Sequence, residues 1–93
     1  ALINKPLKTI ALCGGAGSFL ISAAKQAKVD CFITSDLKYH EFFDTDNQLL
    51  MIDIGHWESE QFVPALIVEH LTTKFPNFAV LESKVKTNPV FYF

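Results

Sequence analysis

Apolar runs bounded by small and polar residues divide this chain into alternating strand and helix signals. Lys8 to Cys13 is a short apolar run ending in Gly14-Gly15-Ala16-Gly17-Ser18, a buried strand followed by a tight turn. Ser18 is placed to cap a helix whose Phe19, Leu20, Ala23, Ala24 and Ala27 share one side, opposite Ser22, Lys25, Gln26 and Lys28. Cys31 to Ser35 reads as a second strand. Tyr39 to Phe43 reads as a short helix closed by Asp44-Thr45-Asp46-Asn47, and Leu49 to Ile54 as a third strand. A long amphipathic helix is expected from about Trp57 to Lys74. Pro64 obliges it to start near Glu60 or to kink, because proline fits only a first turn. Phe78 to Ser83 alternates like a half-exposed strand. After Asn88-Pro89, Val90 to Phe93 forms a last edge strand or a tail packing on a partner. Strands alternating with helices predict an α/β fold, a mostly parallel sheet with helices packed on its faces.

A parallel sheet gathers the loops that follow its strands at one edge, where open α/β sheets bind ligands. Three such loops here carry polar, chemically capable residues. The third presents Gly55-His56-Trp57-Glu58-Ser59-Glu60, with His56 and Glu60 four residues apart. Four residues turn a helix through about 400°, so both side chains fall on one stripe, which continues through Val63, Ile67 and Leu71. A carboxylate in line with an apolar face needs a positive partner. A metal ion suits, since imidazole and carboxylate both ligate Zn²⁺, Mn²⁺ or Fe²⁺, although two ligands make only part of a site. Glu58 and Glu60 would equally complement the positive end of a helix.

The second loop carries Asp36, Tyr39 and His40, candidates for supporting a metal, contacting substrate or moving a proton, or else for capping a short helix. The first carries Gly14, Gly15 and Gly17, a candidate anion-binding turn. Gly15 and Gly17 also match part of a dinucleotide fingerprint, with Leu20 at its third glycine and Asp36 where a ribose-binding acid would sit. The plainer reading is a turn that lets a helix pack close to its strand. His70 is expected at the core's edge without chemistry, and Trp57 in the groove between sheet and helix.

Composition narrows the choices. A chain of 93 residues suits a single domain with a modest core, and its nine Phe favour folding over disorder. With a net charge of −2 and scattered basic residues, nucleic acid is not an expected partner. No apolar stretch approaches the ~20 residues of a membrane-spanning helix. Cys13 and Cys31 fall in predicted strands, as small hydrophobes kept reduced in the cytoplasm. The chain opens without Met, as expected of a piece of something longer.

Ala11-Leu12-Cys13-Gly14-Gly15-Ala16-Gly17-Ser18, then Phe32-Ile33-Thr34-Ser35-Asp36-Leu37-Lys38-Tyr39-His40, then Asp53-Ile54-Gly55-His56-Trp57-Glu58-Ser59-Glu60-Gln61-Phe62, resemble the C-terminal part of the Nif-three-like family. Its members often carry the name GTP cyclohydrolase I type 2 homologue, and Thr87-Asn88-Pro89-Val90 fits the family's C-terminal end. The resemblance implies one half of a two-lobed fold that binds two divalent metal ions in its cleft and assembles as a ring-shaped homohexamer. It implies His56 and Glu60 as metal ligands, with an adjacent His pair and an Asp supplied by the other half. The implied activity is metal-dependent hydrolysis of a nucleotide-like or phosphate-containing small molecule. The alternative is a non-catalytic binding or regulatory ring that the ions stabilise. On either reading the isolated chain is expected to bind metal weakly and to lack turnover.

Overall fold

The computed structural model describes residues 4–93, which divide after Glu60 into two compact units. The first holds three strands, β1 (Ile10–Ala16), β2 (Cys31–Ser35) and β3 (Leu50–Asp53), in a wholly parallel sheet of order β1-β2-β3. Between β1 and β2 run a 3-10 turn, Ser18–Leu20, and α1, Ile21–Gln26. Between β2 and β3 runs a longer 3-10 segment, Tyr39–Thr45, where Lys38 N–H donates to the Glu41 carboxylate at 2.7 Å. The unit ends in α2, His56–Glu60.

Pairing register explains the core. Ala11 pairs with Phe32 and Phe32 with Met51, forming one row across the sheet. Phe32 and Met51 are buried with Leu49 and with Ile21 and Ala24 of α1. One residue along, the row Leu12, Ile33, Ile52 points to the other face, and there Leu12 is 74% exposed. At the start of the strands Asp30 closes the sheet. One of its carboxylate oxygens accepts from the Lys8 and Thr9 N–H groups and the Thr9 hydroxyl, while the other pairs with Lys5 Nζ at 2.8 Å. These contacts hold the Asp30 carboxyl well below the usual carboxylate range, the Lys5 ammonium most of all.

The predicted elements recur with three corrections. The glycine segment is no tight turn, because β1 runs on through Gly14 and Gly15 to Ala16. Between the pairs Leu12–Ile33 and Ala16–Ser35, β1 advances four residues while β2 advances two, so the surplus bulges outward. Gly15 supplies the positive φ of 69° that the bulge requires. Ser18 contributes no capping hydrogen bond to the turn that follows. Second, the long helix is broken. α2 stops at Glu60, and α3, Val63–Lys74, restarts with Pro64 in its first turn, where the missing N–H costs nothing. The stripe from His56 to Leu71 is therefore discontinuous. Third, neither Phe78–Ser83 nor Val90–Phe93 forms a strand. Alternation records only a preference, and a strand exists only where a neighbour completes its ladder.

The second unit consists of α3 and the segment after it. Phe75 and Phe78 meet edge-on at 5.9 Å, and with Leu71, Val80 and Leu81 they line a shallow apolar groove. His70, expected at a core edge, is exposed, whereas Trp57 in α2 is half-buried. Both cysteines are free, Cys31 buried and Cys13 partly so. Among the described residues no helix is long and apolar enough to cross a membrane.

Phe32, central in the sheet and 2% exposed, carries the largest share of this small core. Phe32→Ala is expected to cost about 3–5 kcal/mol, enough to unfold the first unit, as urea denaturation followed by circular dichroism will report.

Candidate metal centre

Two loops and a bulge meet at the C-terminal ends of the strands. Asp36 follows β2 directly and adopts left-handed backbone, φ 56°, which Asp tolerates better than most residues. That turn carries its carboxylate to α2, where Oδ2 lies 2.6 Å from His56 Nδ1. An ionised carboxylate can only accept, so Nδ1 carries the hydrogen and donates it. The other ring nitrogen, Nε2, lies 3.2 Å from Glu60 Oε2, one helical turn on. His56 thus sits between two acids, one fixing its tautomer and the other sharing its free edge.

The bulge shapes the space beside them. A Cβ on Gly15 would overlap Glu60 Oε1 and lie 3.2 Å from His56 Nε2. The missing side chain therefore leaves room where imidazole and carboxylate converge. Three hydrogen bonds hold the Gly15 backbone there. Its N–H donates to Ser59 Oγ at 2.8 Å, and its buried carbonyl accepts from the Thr34 hydroxyl at 3.1 Å and from the Ser35 hydroxyl. Ser59 in turn donates to the His56 carbonyl at 2.8 Å, stapling β1 to α2. Gly17 lies against Thr34 and Cys13 so closely that a Cβ would overlap the Thr34 hydroxyl, while Gly14 allows one at ordinary contact distance.

Of the residues singled out in the sequence, Asp36, His56, Glu60 and Gly15 are brought together. Tyr39 and His40 are not joined to them by any ring contact or hydrogen bond described. Tyr39 is 74% exposed and stacks edge-on with His40 at 5.4 Å and Phe43 at 5.3 Å. The N–H groups of Gly15 and Gly17 offer little to an anion, since that of Gly15 is held by Ser59 and that of Gly17 by the Ser35 carbonyl at 3.4 Å. Sequence reasoning passed over Ser59, Thr34, Ser35 and Asp53, whose groups hold the site's backbone. Polar residues ending an otherwise apolar strand, Thr34 and Ser35 above all, were the available signal, since a buried hydroxyl needs a partner.

His56 and Glu60 side chains are each 48% exposed and that of Asp36 51%. Ion pairs this open contribute little to stability, so their effect lies in orientation. The hydrogen bond that His56 donates to Asp36 is the main cause holding the His56 proton affinity above the ordinary histidine range, with Glu60 adding to it. Among the described residues no group of three or more His, Cys, Asp or Glu is disposed to hold a metal ion. The donor pair His56 Nε2 and Glu60, facing the space at Gly15, fits a divalent ion as part of a ligand set.

Two outcomes test this geometry. A raised folded-state proton affinity means that the charged imidazole stabilises the fold fully below about pH 6.5 and loses that effect as pH rises through the raised value. Asp36→Asn is expected to bring the His56 midpoint down towards the ordinary range in an NMR titration of its ring protons; an unmoved midpoint would assign the shift elsewhere. Gly15→Ala is expected to cost about 1–3 kcal/mol from the positive φ alone and to swing Glu60 away from His56. Thermal melts and a structure of the variant check both effects.

A family model described as Duf34/NIF3 (NGG1p interacting factor 3) matches residues 2–89. Among similar curated proteins, a GTP cyclohydrolase 1 type 2 homolog from Campylobacter jejuni is 37% identical over 91 residues, 97% of this chain and 35% of that protein. A protein of the same name from Lactococcus lactis is 34% identical over 90 residues, 96% of this chain and 35% of its own length. Of solved structures, a Bacillus cereus protein related to NIF3 superposes with a TM-score of 0.68 and 27% identity, over 94% of this chain and 25% of that one. A Staphylococcus aureus protein superposes with a TM-score of 0.71 and 28% identity, over 94% and 30%. The chain spans about a third of the length of the curated relatives it matches. By its match to the family model and its identity to these relatives, the chain belongs to the Duf34/NIF3 family.

Proposed function

We propose that this chain is the C-terminal part of a two-lobed, dinuclear divalent-metal protein, to which it contributes His56 Nε2 and the Glu60 carboxylate. One observation carries the reading: the free edge of His56 and the Glu60 carboxylate converge on the space that a side chain at Gly15 would fill. Asp36 supports it from behind, since metal-bound histidines commonly donate their other N–H to a carboxylate. Three or four ligands complete a site, so the others come from the remaining length of the protein, in accord with the third of its relatives that this chain spans.

Bound there, a pair of divalent ions would supply an activated water and a clamp for a phosphoryl or carbonyl oxygen. The residues of this chain have narrower tasks. Asp36 keeps the Nδ1 hydrogen in place, Ser59 fixes α2 against β1, and Gly15 keeps side-chain atoms out. Hydrolysis of a nucleotide-like or phosphate-containing substrate is the favoured reaction, in line with the names its relatives bear. Tyr39 and His40, exposed beside each other on the loop after β2, are the candidates for substrate contact. A second reading, a metal-stabilised binding ring without turnover, is favoured by large apolar side chains left open, such as Leu81 and Phe91.

Calorimetric titration with Zn²⁺ or Mn²⁺ tests the site. The chain is expected to bind weakly, and both His56→Ala and Glu60→Gln to weaken binding at least tenfold with circular dichroism unchanged. Equal binding by wild type and His56→Ala would refute the assignment. In the full-length protein, metal-dependent turnover of phosphate esters lost in His56→Ala supports the hydrolase. Metal-dependent assembly with no turnover supports the ring.

A further inference from the structure

The Asp36–His56 pair joins the two loops on either side of β3, and both loops use positive-φ backbone. Asp36 has φ 56° and Gly55, just ahead of His56, has φ 86°. Asp36, which has a Cβ, keeps that conformation only where its surroundings hold it, whereas Gly55 adopts it without strain. Asp53, the last residue of β3, lies against both. Its Oδ2 accepts from the N–H of Leu37, immediately after Asp36, at 3.0 Å, and its Oδ1 accepts from the N–H of Gly55 at 3.0 Å. Each oxygen thus holds the peptide next to one left-handed residue. The ladder places Asp53 beside Thr34, the residue whose hydroxyl holds the Gly15 carbonyl.

We infer that Asp53 is the positioning residue of the site: its carboxylate ties the loop after β2 to the loop after β3, and so sets the Asp36 carboxylate on His56 Nδ1. This rests on the metal-site reading above. It adds the constraint that leaves Nε2 as the nitrogen free for a ligand. Asp53 itself touches neither His56 nor Glu60 in any contact described. A carboxylate is needed because both partners are N–H donors. The isosteric amide has one acceptor and would turn its own N–H towards the second donor.

The test uses the whole chain with Asp53→Asn, and with Asp30→Asn as control. Asp30 clamps the opposite edge of the same sheet, at the starts of β1 and β2, so its loss loosens the sheet without touching the site. Nitrogen-15 NMR of the His56 ring reads the tautomer, and Zn²⁺ titration reads affinity. In Asp53→Asn the Nδ1–H tautomer is expected to give way to a mixture, and Zn²⁺ affinity to fall about tenfold, the lower end for groups supporting a metal ligand. Asp30→Asn is expected to lower the melting temperature and leave the His56 signals in place. A retained Nδ1–H tautomer in Asp53→Asn, or an equal disturbance of His56 in Asp30→Asn, overturns the inference. Should wild type bind no Zn²⁺, the metal reading fails while the tautomer still decides the role of Asp53. If Asp53→Asn does not fold, wild type alone suffices: through-hydrogen-bond couplings from the Leu37 and Gly55 amides to the Asp53 carboxylate carbon are expected, and their absence overturns the proposal.

Discussion

The absence of a side chain at Gly15 is the constraint on which the site depends. A residue with a Cβ there would meet the Glu60 carboxylate and crowd His56 Nε2, and it would resist the positive φ that forms the bulge. The bulge in turn brings the Gly15 carbonyl to the Thr34 and Ser35 hydroxyls and its N–H to Ser59. One backbone position thus joins β1, β2 and α2. Polar partners for all of these groups explain how hydroxyls can lie buried at the end of β2 without loss.

Stability and the candidate site rest on different residues. Phe32, Leu49, Met51, Ile21 and Ala24 form the core, and Asp30 secures the strand beginnings. The acids and the histidine at the strand ends are half-open to water, where a charge pair gains little. Their value is angular: Asp36 fixes which nitrogen of His56 carries hydrogen, and helical spacing sets Glu60 against the other. A parallel sheet provides the place for this division, because its strands all deliver their following loops to one edge.

Much of this was legible in the chain. Cys31–Ser35 begins and ends as its apolar run does, and His56 and Glu60 face one another as helical spacing requires. Asp36 was legible as a loop residue on the same edge, expected beside His56 as support for a metal, though not which ring nitrogen it would meet. The errors share a cause. The glycines of β1 signal permitted backbone freedom, which serves a bulge as readily as a turn. Pro64 signals a first turn without saying whether the preceding helix bends or stops. The alternation of Phe78 to Ser83 signals a face, and only a neighbouring strand could turn it into a ladder.

The order of residues alone determined the three strands of the first unit, their parallel architecture and the one-turn clip of His56 and Glu60, because these follow from local periodicity and steric rules. Tertiary structure decided which loops touch. Nothing local tells Asp36 that its carboxylate will reach His56 Nδ1, twenty residues on, or tells Asp53 that its two oxygens will hold two different loops. Those contacts exist because three strands align in register, and alignment is a property of the packed sheet rather than of any segment in it.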